Sequence, residues 1–143
     1  MFVEVDLVGV SDLASLLGDV PPYWKKWMHL WYRYVGDPAI ADLPQDMVLC
    51  LPLNFAEQMK DLLLILHGKN DPRVKLNQSA RMVEALSRAN KNVEYIVIKN
   101  EGHGFKPWKN QLLFYRKIKG FLANCLCRRS SIFDYYQLCT WLF

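Results

Sequence analysis

No apolar run of about 18 residues occurs in this sequence, so no membrane-spanning helix is read in it. A charged start, apolar middle and small-residue cleavage site are also lacking, and no secretion signal is read. The four cysteines, Cys50, Cys125, Cys127 and Cys139, do not have the spacing of a disulfide framework, which makes a reducing cytoplasm the expected compartment. Cys125-x-Cys127 has no further ligands at suitable spacing, so no zinc site, metal or cofactor is expected. Charge is scattered: 18 basic and 14 acidic residues give +4 without forming a block, so neither nucleic acid nor a membrane is favoured as a partner. What the chain does have is apolar content. With 143 residues, 52% hydrophobic and 13% aromatic, it can fill the core of one domain and is too apolar for disorder.

Phe2 to Val10 is rich in β-branched and apolar residues and reads as a strand that starts almost at Met1. Domains rarely begin in mid-sheet, so the chain is expected to be the later part of one. Asp12 to Pro22 is mixed, and its closing prolines suit the entry to a helix. A helix is predicted over Tyr23 to Val35, stopped by Gly36-Asp37-Pro38. Trp24, Trp27, Trp31 and Tyr34 share one face of it, expected to be buried; a site for an aromatic ligand is the alternative. Ala39 to Gln58 reads as irregular, with room for a short helix around Ala41 to Leu49 and a break at Pro52.

Leu62 to Leu66 is short and continuously apolar, as suits a strand buried on both faces of a parallel sheet. It runs on through His67-Gly68 and delivers a carboxylate at Asp71. Lys75 to Asn90 is predicted helical, with Leu76, Ala80, Val83 and Leu86 inward and Asn77, Gln78, Arg81 and Glu84 off that face. Val93 to Ile98 is a further strand. The order strand, helix, strand implies a right-handed parallel unit, which puts the Asp71 loop and the Gly102-His103-Gly104 loop at the sheet edge where α/β proteins bind ligands. A last helix is predicted over Pro107 to Cys125, with Phe114, Ile118, Phe121 and Leu122 inward and Arg116, Lys117 and Lys119 off the stripe. Beyond Cys127, Arg128-Arg129 leads into an aromatic tail without clear period; it looks appended, an interfacial membrane segment being the alternative reading. The expected organisation is a domain portion over 1–126 and an atypical tail over 127–143.

Several stretches carry a family resemblance: Val8-Gly9-Val10-Ser11-Asp12-Leu13, Pro21-Pro22-Tyr23-Trp24, Tyr34-Val35-Gly36-Asp37-Pro38, Pro52-Leu53-Asn54, His67 to Val74, and Glu101-Gly102-His103-Gly104-Phe105. In this order and at these spacings, Val5 to Leu122 resembles the C-terminal part of the α/β-hydrolase domain of prolyl oligopeptidase-type serine peptidases. The resemblance implies a partial α/β-hydrolase fold of three parallel strands with flanking helices, and peptide substrates. It also implies that Asp71 is the triad acid, that His103 is the base, that Arg73 binds a substrate backbone carbonyl and that Val74 walls the specificity pocket. His67 is expected to be structural.

The departures bear on activity. In this family the nucleophile lies in Gly-x-Ser-x-Gly just before the strand that Phe2 to Val10 resembles, and no such motif occurs among the 143 residues. Gly9-Val10-Ser11-Asp12-Leu13 has Leu at the second glycine position and follows the wrong strand, so Ser11 is not expected to be the nucleophile. Part of the oxyanion hole goes with the missing motif. The family's β-propeller has no counterpart here, and Leu51 stands where the family usually has Ser before Pro-Leu. The expectation is a peptidase fragment, inactive alone, whose first strand has an open edge that favours association or aggregation. An upstream fragment supplying the nucleophile is the expected partner. The alternatives are a non-catalytic interaction module, the remnant of an interrupted gene, and a small esterase using Ser11.

Overall fold

A computed structural model describes residues 3–37 and 51–126. The helix expected around 41–49, Pro38, Cys50 and the tail 127–143, with Cys127 and Cys139, lie outside them. Strands β1 (Val3–Leu7), β2 (Leu62–Gly68) and β3 (Val93–Ile98) form a parallel sheet in the order β1-β2-β3. Val3 pairs with Leu62, and Leu63 with Val93. Leu64, Ile65, Leu66 and His67 on the central strand are all 0% exposed, as its unbroken apolar run requires. β1 is shorter than expected because Val8 enters the left-handed region at φ 49, which a β-branched residue adopts only at a cost.

The segment after β1 departs from its sequence reading in two ways. First, the mixed stretch contains a helix, α1 (Leu13–Gly18), capped by Asp12, whose Oδ1 accepts the N–H groups of Ala14 and Ser15. Second, the helix expected over Tyr23 to Val35 is two pieces, a 3-10 segment (Pro22–Trp27) followed by α2 (Met28–Tyr34). Three residues per turn instead of 3.6 shifts the phase of the aromatic stripe and divides it. Trp24 and Trp31 stack with ring centroids 5.4 Å apart, while Trp27 is 51% exposed and Tyr34 76%.

A second 3-10 segment (Pro52–Gln58) starts at the expected proline break. Helix α3 (Asn77–Arg88) joins β2 to β3, and Met82 and Leu86 pack on Leu63, Ile65 and Ala56. Its inward face corrects the expected one: Gln78, Ser79, Met82 and Leu86 are buried, and Ala80 is exposed. Gln78 turns inward because its amide serves the chain after β1. Its Oε1 accepts from the N–H groups of Ser11 and Asp12, and its Nε2 donates to Ser15 Oγ. Side chains alternate along a strand, so Leu64 and Leu66 point to the opposite sheet face from Leu63 and Ile65. Helix α4 (Trp108–Cys125) packs against β2 and β1. Its stripe of Phe114, Ile118, Phe121 and Leu122 is half-buried, and so is Arg116, expected off it.

Candidate active site

The site is made where β2 and β3 end side by side. Lys69 N–H donates to the Ile98 carbonyl at 3.0 Å, Asn70 N–H to that of Glu101 at 2.8 Å, and Asn70 Nδ2 to that of Lys99 at 3.2 Å. These bonds lock the two loops together. The approach is so close that a Cβ on Gly68 would lie 2.2 Å from the Gly102 carbonyl oxygen. Only glycine fits there without moving the second loop.

Asp71 is thereby held at the strand end with its side chain fully buried. Oδ1 accepts the N–H groups of Arg73 at 2.8 Å and Val74 at 3.0 Å, the local turn expected of an Asp that begins a loop. Oδ2 lies 2.9 Å from His103 Nδ1. A carboxylate accepts, so Nδ1 carries the proton, and in the neutral ring Nε2 is the nitrogen left with a lone pair. The imidazole side chain is 31% exposed. His103 itself is at the centre of a three-residue turn in which Gly104 N–H donates to the Gly102 carbonyl at 3.0 Å. Gly104 takes φ 110, a conformation that suits glycine.

Glu101, next to the Gly102-His103-Gly104 turn, supports the histidine loop. It is buried, with Oε1 accepting from Asn110 Nδ2 and Oε2 from Lys106 N–H, which ties the histidine loop to the start of α4. A buried charge with its own partners is a scaffold element. The only sequence signal was a carboxylate beside Gly102 with an Asn nine residues on.

An open cavity of about 570 Å³ surrounds the imidazole, lined among others by Asn70, Arg73, Gly102, His103 and Lys106. Asp71, His103 and Arg73 therefore come together. Val74 is buried and does not line this cavity; its backbone completes the Asp71 cradle. Ser11 is elsewhere. It is buried, and its hydroxyl donates to the Gln78 carbonyl at 2.6 Å, beside a separate cavity of about 350 Å³ that also touches Asp6, Phe55 and Met82. A hydroxyl so engaged, with no imidazole bonded to it, lacks the general base that activates a serine nucleophile. Burial raises the carboxyl pKa of Asp6 above its ordinary value, partly opposed by the Gly9 N–H and by nearby His67. Among the described residues no group of three or more His, Cys, Asp or Glu could hold a metal ion.

Residues 9–129 match the model of the prolyl oligopeptidase family. The chain belongs to that family. It is 40% identical over 127 residues to the dipeptidyl aminopeptidase BIII of Pseudoxanthomonas mexicana, covering 89% of this chain and 18% of that protein. It is 36% identical over 123 residues to the dipeptidyl peptidase family member 6 of Caenorhabditis elegans, covering 85% and 17%. The chain thus spans less than a fifth of the length of these two relatives. Among solved structures, the acylaminoacyl peptidase of Pyrococcus horikoshii superposes with a TM-score of 0.76 at 20% identity, over 96% of this chain and 22% of that one. A puromycin-hydrolyzing peptidase of Mycobacterium tuberculosis gives 0.71 at 23% identity, over 87% and 18%. The three parallel strands and their helices are accordingly a portion of the family's α/β-hydrolase fold. No helix among the described residues is long and apolar enough to cross a membrane.

Proposed function

We propose that this chain supplies the acid and the base of a serine peptidase acting on peptide substrates. Asp71 is the acid and His103 the base. The observation that carries the reading is the 2.9 Å bond from His103 Nδ1 to a carboxylate that is buried and held by two further N–H donors. Such an Asp fixes the imidazole tautomer and stabilises its cation, while Nε2 takes the nucleophile's proton and returns it to the leaving amine. Arg73, which lines the same cavity, binds a substrate backbone carbonyl, while Val74, expected to wall the specificity pocket, is buried outside this cavity and serves by holding the Asp71 carboxylate through its N–H. An interaction module has no need of a buried carboxylate aimed at an exposed imidazole.

The nucleophile comes from a Gly-x-Ser-x-Gly segment outside these 143 residues, and residues 1–143 alone do not hydrolyse peptides. Three features support this: the motif is not in the sequence, Ser11 is committed to Gln78, and among the described residues β1 pairs only with β2 while Val5 and Leu7 are 37% and 41% exposed. That free edge receives the nucleophile-bearing partner and, without it, drives association or aggregation. A cytoplasmic setting is part of the reading, supported by the free thiol at buried Cys125. The test is complementation of residues 1–143 with a polypeptide carrying the family's Gly-x-Ser-x-Gly unit, assayed on chromogenic dipeptidyl and acylaminoacyl amides. Hydrolysis is expected only in the mixture and is lost with His103→Gln. Activity that survives His103→Gln, or labelling of residues 1–143 alone by a serine-directed phosphonate, would overturn the assignment.

A further inference from the structure

His67 is the last side chain of β2 before Gly68, and it is fully buried. Its Nε2 lies 2.9 Å from the Val74 carbonyl oxygen. A carbonyl can only accept, so Nε2 carries the proton and donates. The same nitrogen stands 3.8 Å from Asp71 Oδ2, the oxygen that receives His103. Nδ1, in contrast, is buried with no hydrogen-bond partner among the described residues. An unsatisfied buried acceptor is costly, and a leucine would fill this end of the strand without that cost. The ring is therefore not explained by packing.

What Nε2 holds gives the explanation. Val74 is gripped on both sides of its Cα: its N–H donates to Asp71 Oδ1 at 3.0 Å, and its carbonyl accepts from His67. Remove the second bond, and the buried carbonyl must turn in search of another partner, taking with it one of the two N–H groups that orient the Asp71 carboxylate. We propose that His67 is a positioning residue, an imidazole of fixed tautomer whose Nε2–H braces the Val74 end of the loop that aims Asp71 at His103. The proposal rests on the reading of Asp71 and His103 as the acid–base pair.

The experiment is NMR on the isotopically labelled 143-residue chain, with the His103 Nδ1–H resonance assigned by its loss in His103→Gln. In the unmodified chain His67 is expected to be protonated on Nε2 and to show scalar coupling to the Val74 carbonyl carbon. His67→Phe keeps the volume and removes the donor, whereas His67→Gln keeps an N–H. Exchange of the His103 Nδ1–H with water is expected to be about tenfold faster in His67→Phe, the scale of one lost bond to a charged group, and close to the unmodified rate in His67→Gln. An unchanged rate in His67→Phe overturns the proposal, and so does equal acceleration in both variants, which marks packing alone. If His67→Phe does not fold, the other two measurements decide. A proton on Nδ1 of His67, or acceleration in His67→Gln, overturns it; Nε2 protonation with coupling and an unmodified rate in His67→Gln supports it. Because the resonance reads the Asp71–His103 bond and not hydrolysis, complementation can fail while this result stands, and the reverse.

Discussion

The two ends of this small sheet differ in how completely they are finished. At the carboxyl edge of β2 and β3, the Asp71 and His103 loops bond to each other, and Asp71 and Glu101 are buried with their acceptors used. Around β1, Val5 and Leu7 are exposed, Val8 is in a disfavoured conformation, and Asp6 is a carboxylate that burial disfavours. The Asp71–His103 pair is thus supported by contacts within the chain, whereas the β1 side carries costs that contacts among the described residues do not offset. This distribution fits the proposed function, in which the acid and base are organised locally and a partner supplies the strand beside β1.

Substitutions on the two sides should therefore act in opposite directions, and the largest effect belongs to the finished side. Gly68→Ala puts a Cβ 2.2 Å from a backbone oxygen that no side-chain rotation can relieve. A loss of about 3 kcal/mol in urea unfolding is expected, with separation of the two loops and loss of the protected His103 Nδ1–H signal. A loss below about 0.5 kcal/mol, the scale of an ordinary surface change, would mean that the loops are not locked.

Gln78→Leu tests how β1 is attached to the rest. It leaves the N–H groups of Ser11 and Asp12 without the Oε1 that both use. About 2 kcal/mol of destabilisation is expected, with the His103 signal unchanged because the hydrogen bonds of the amide go to Ser11, Asp12 and Ser15 and not to the Asp71 loop. If that signal also vanished, the two regions would be one cooperative unit and the contrast between them would fail.

How much of this could be read in the sequence follows the same division. The Asp71 and His103 loops were legible because a continuous apolar strand, a crossover helix and a second strand leave little freedom in where the loops meet. The β1 side was less so. Helix α1 has only six residues, too few to show a period, and its one local sign was Asp12 as a cap. The aromatic stripe was read at 3.6 residues per turn, and the 3-10 turn that divides it has no periodic signal of its own. Gln78 was placed outward by polarity, since its three partners lie more than sixty residues away in the chain. At the site, what escaped the sequence was support: Glu101 and the His67 bond to Val74 depend on where backbone carbonyls and N–H groups fall in space.

On the unfinished side, removal of a cost should stabilise. Val8→Gly accepts φ 49 without the clash between Cβ and carbonyl that a left-handed residue meets, a relief of about 1–2 kcal/mol. Glycine's greater unfolded-state freedom returns about 0.5–1 kcal/mol of that. A net gain of about 0.5–1 kcal/mol is expected in urea unfolding. A loss of 1 kcal/mol or more would show that the half-buried valine side chain outweighs the backbone strain, so that this bend is not a stored cost.

The smallest effect is one of slope. Burial raises the folded-state pKa of Asp6 above 3.8, so between 3.8 and that raised value the folded chain binds more protons than the unfolded one. Asp6 therefore costs stability progressively as pH rises through this window, fully above it and not at all well below 3.8. Asp6→Asn removes the charge and keeps an oxygen that can accept from the Gly9 N–H. The variant should gain on the parent chain as pH rises through the window, with the two converging below 3.8, in urea midpoints measured at constant ionic strength. Asp19 has the opposite sign: the hydrogen bond from Lys75 lowers its pKa, and its contribution is lost only as pH falls below 3.8. The two windows do not overlap, so a difference that grew only below 3.8 would not belong to Asp6. Parallel curves throughout would remove Asp6 from the costs carried by the β1 side and leave Val8 and the open edge to account for them.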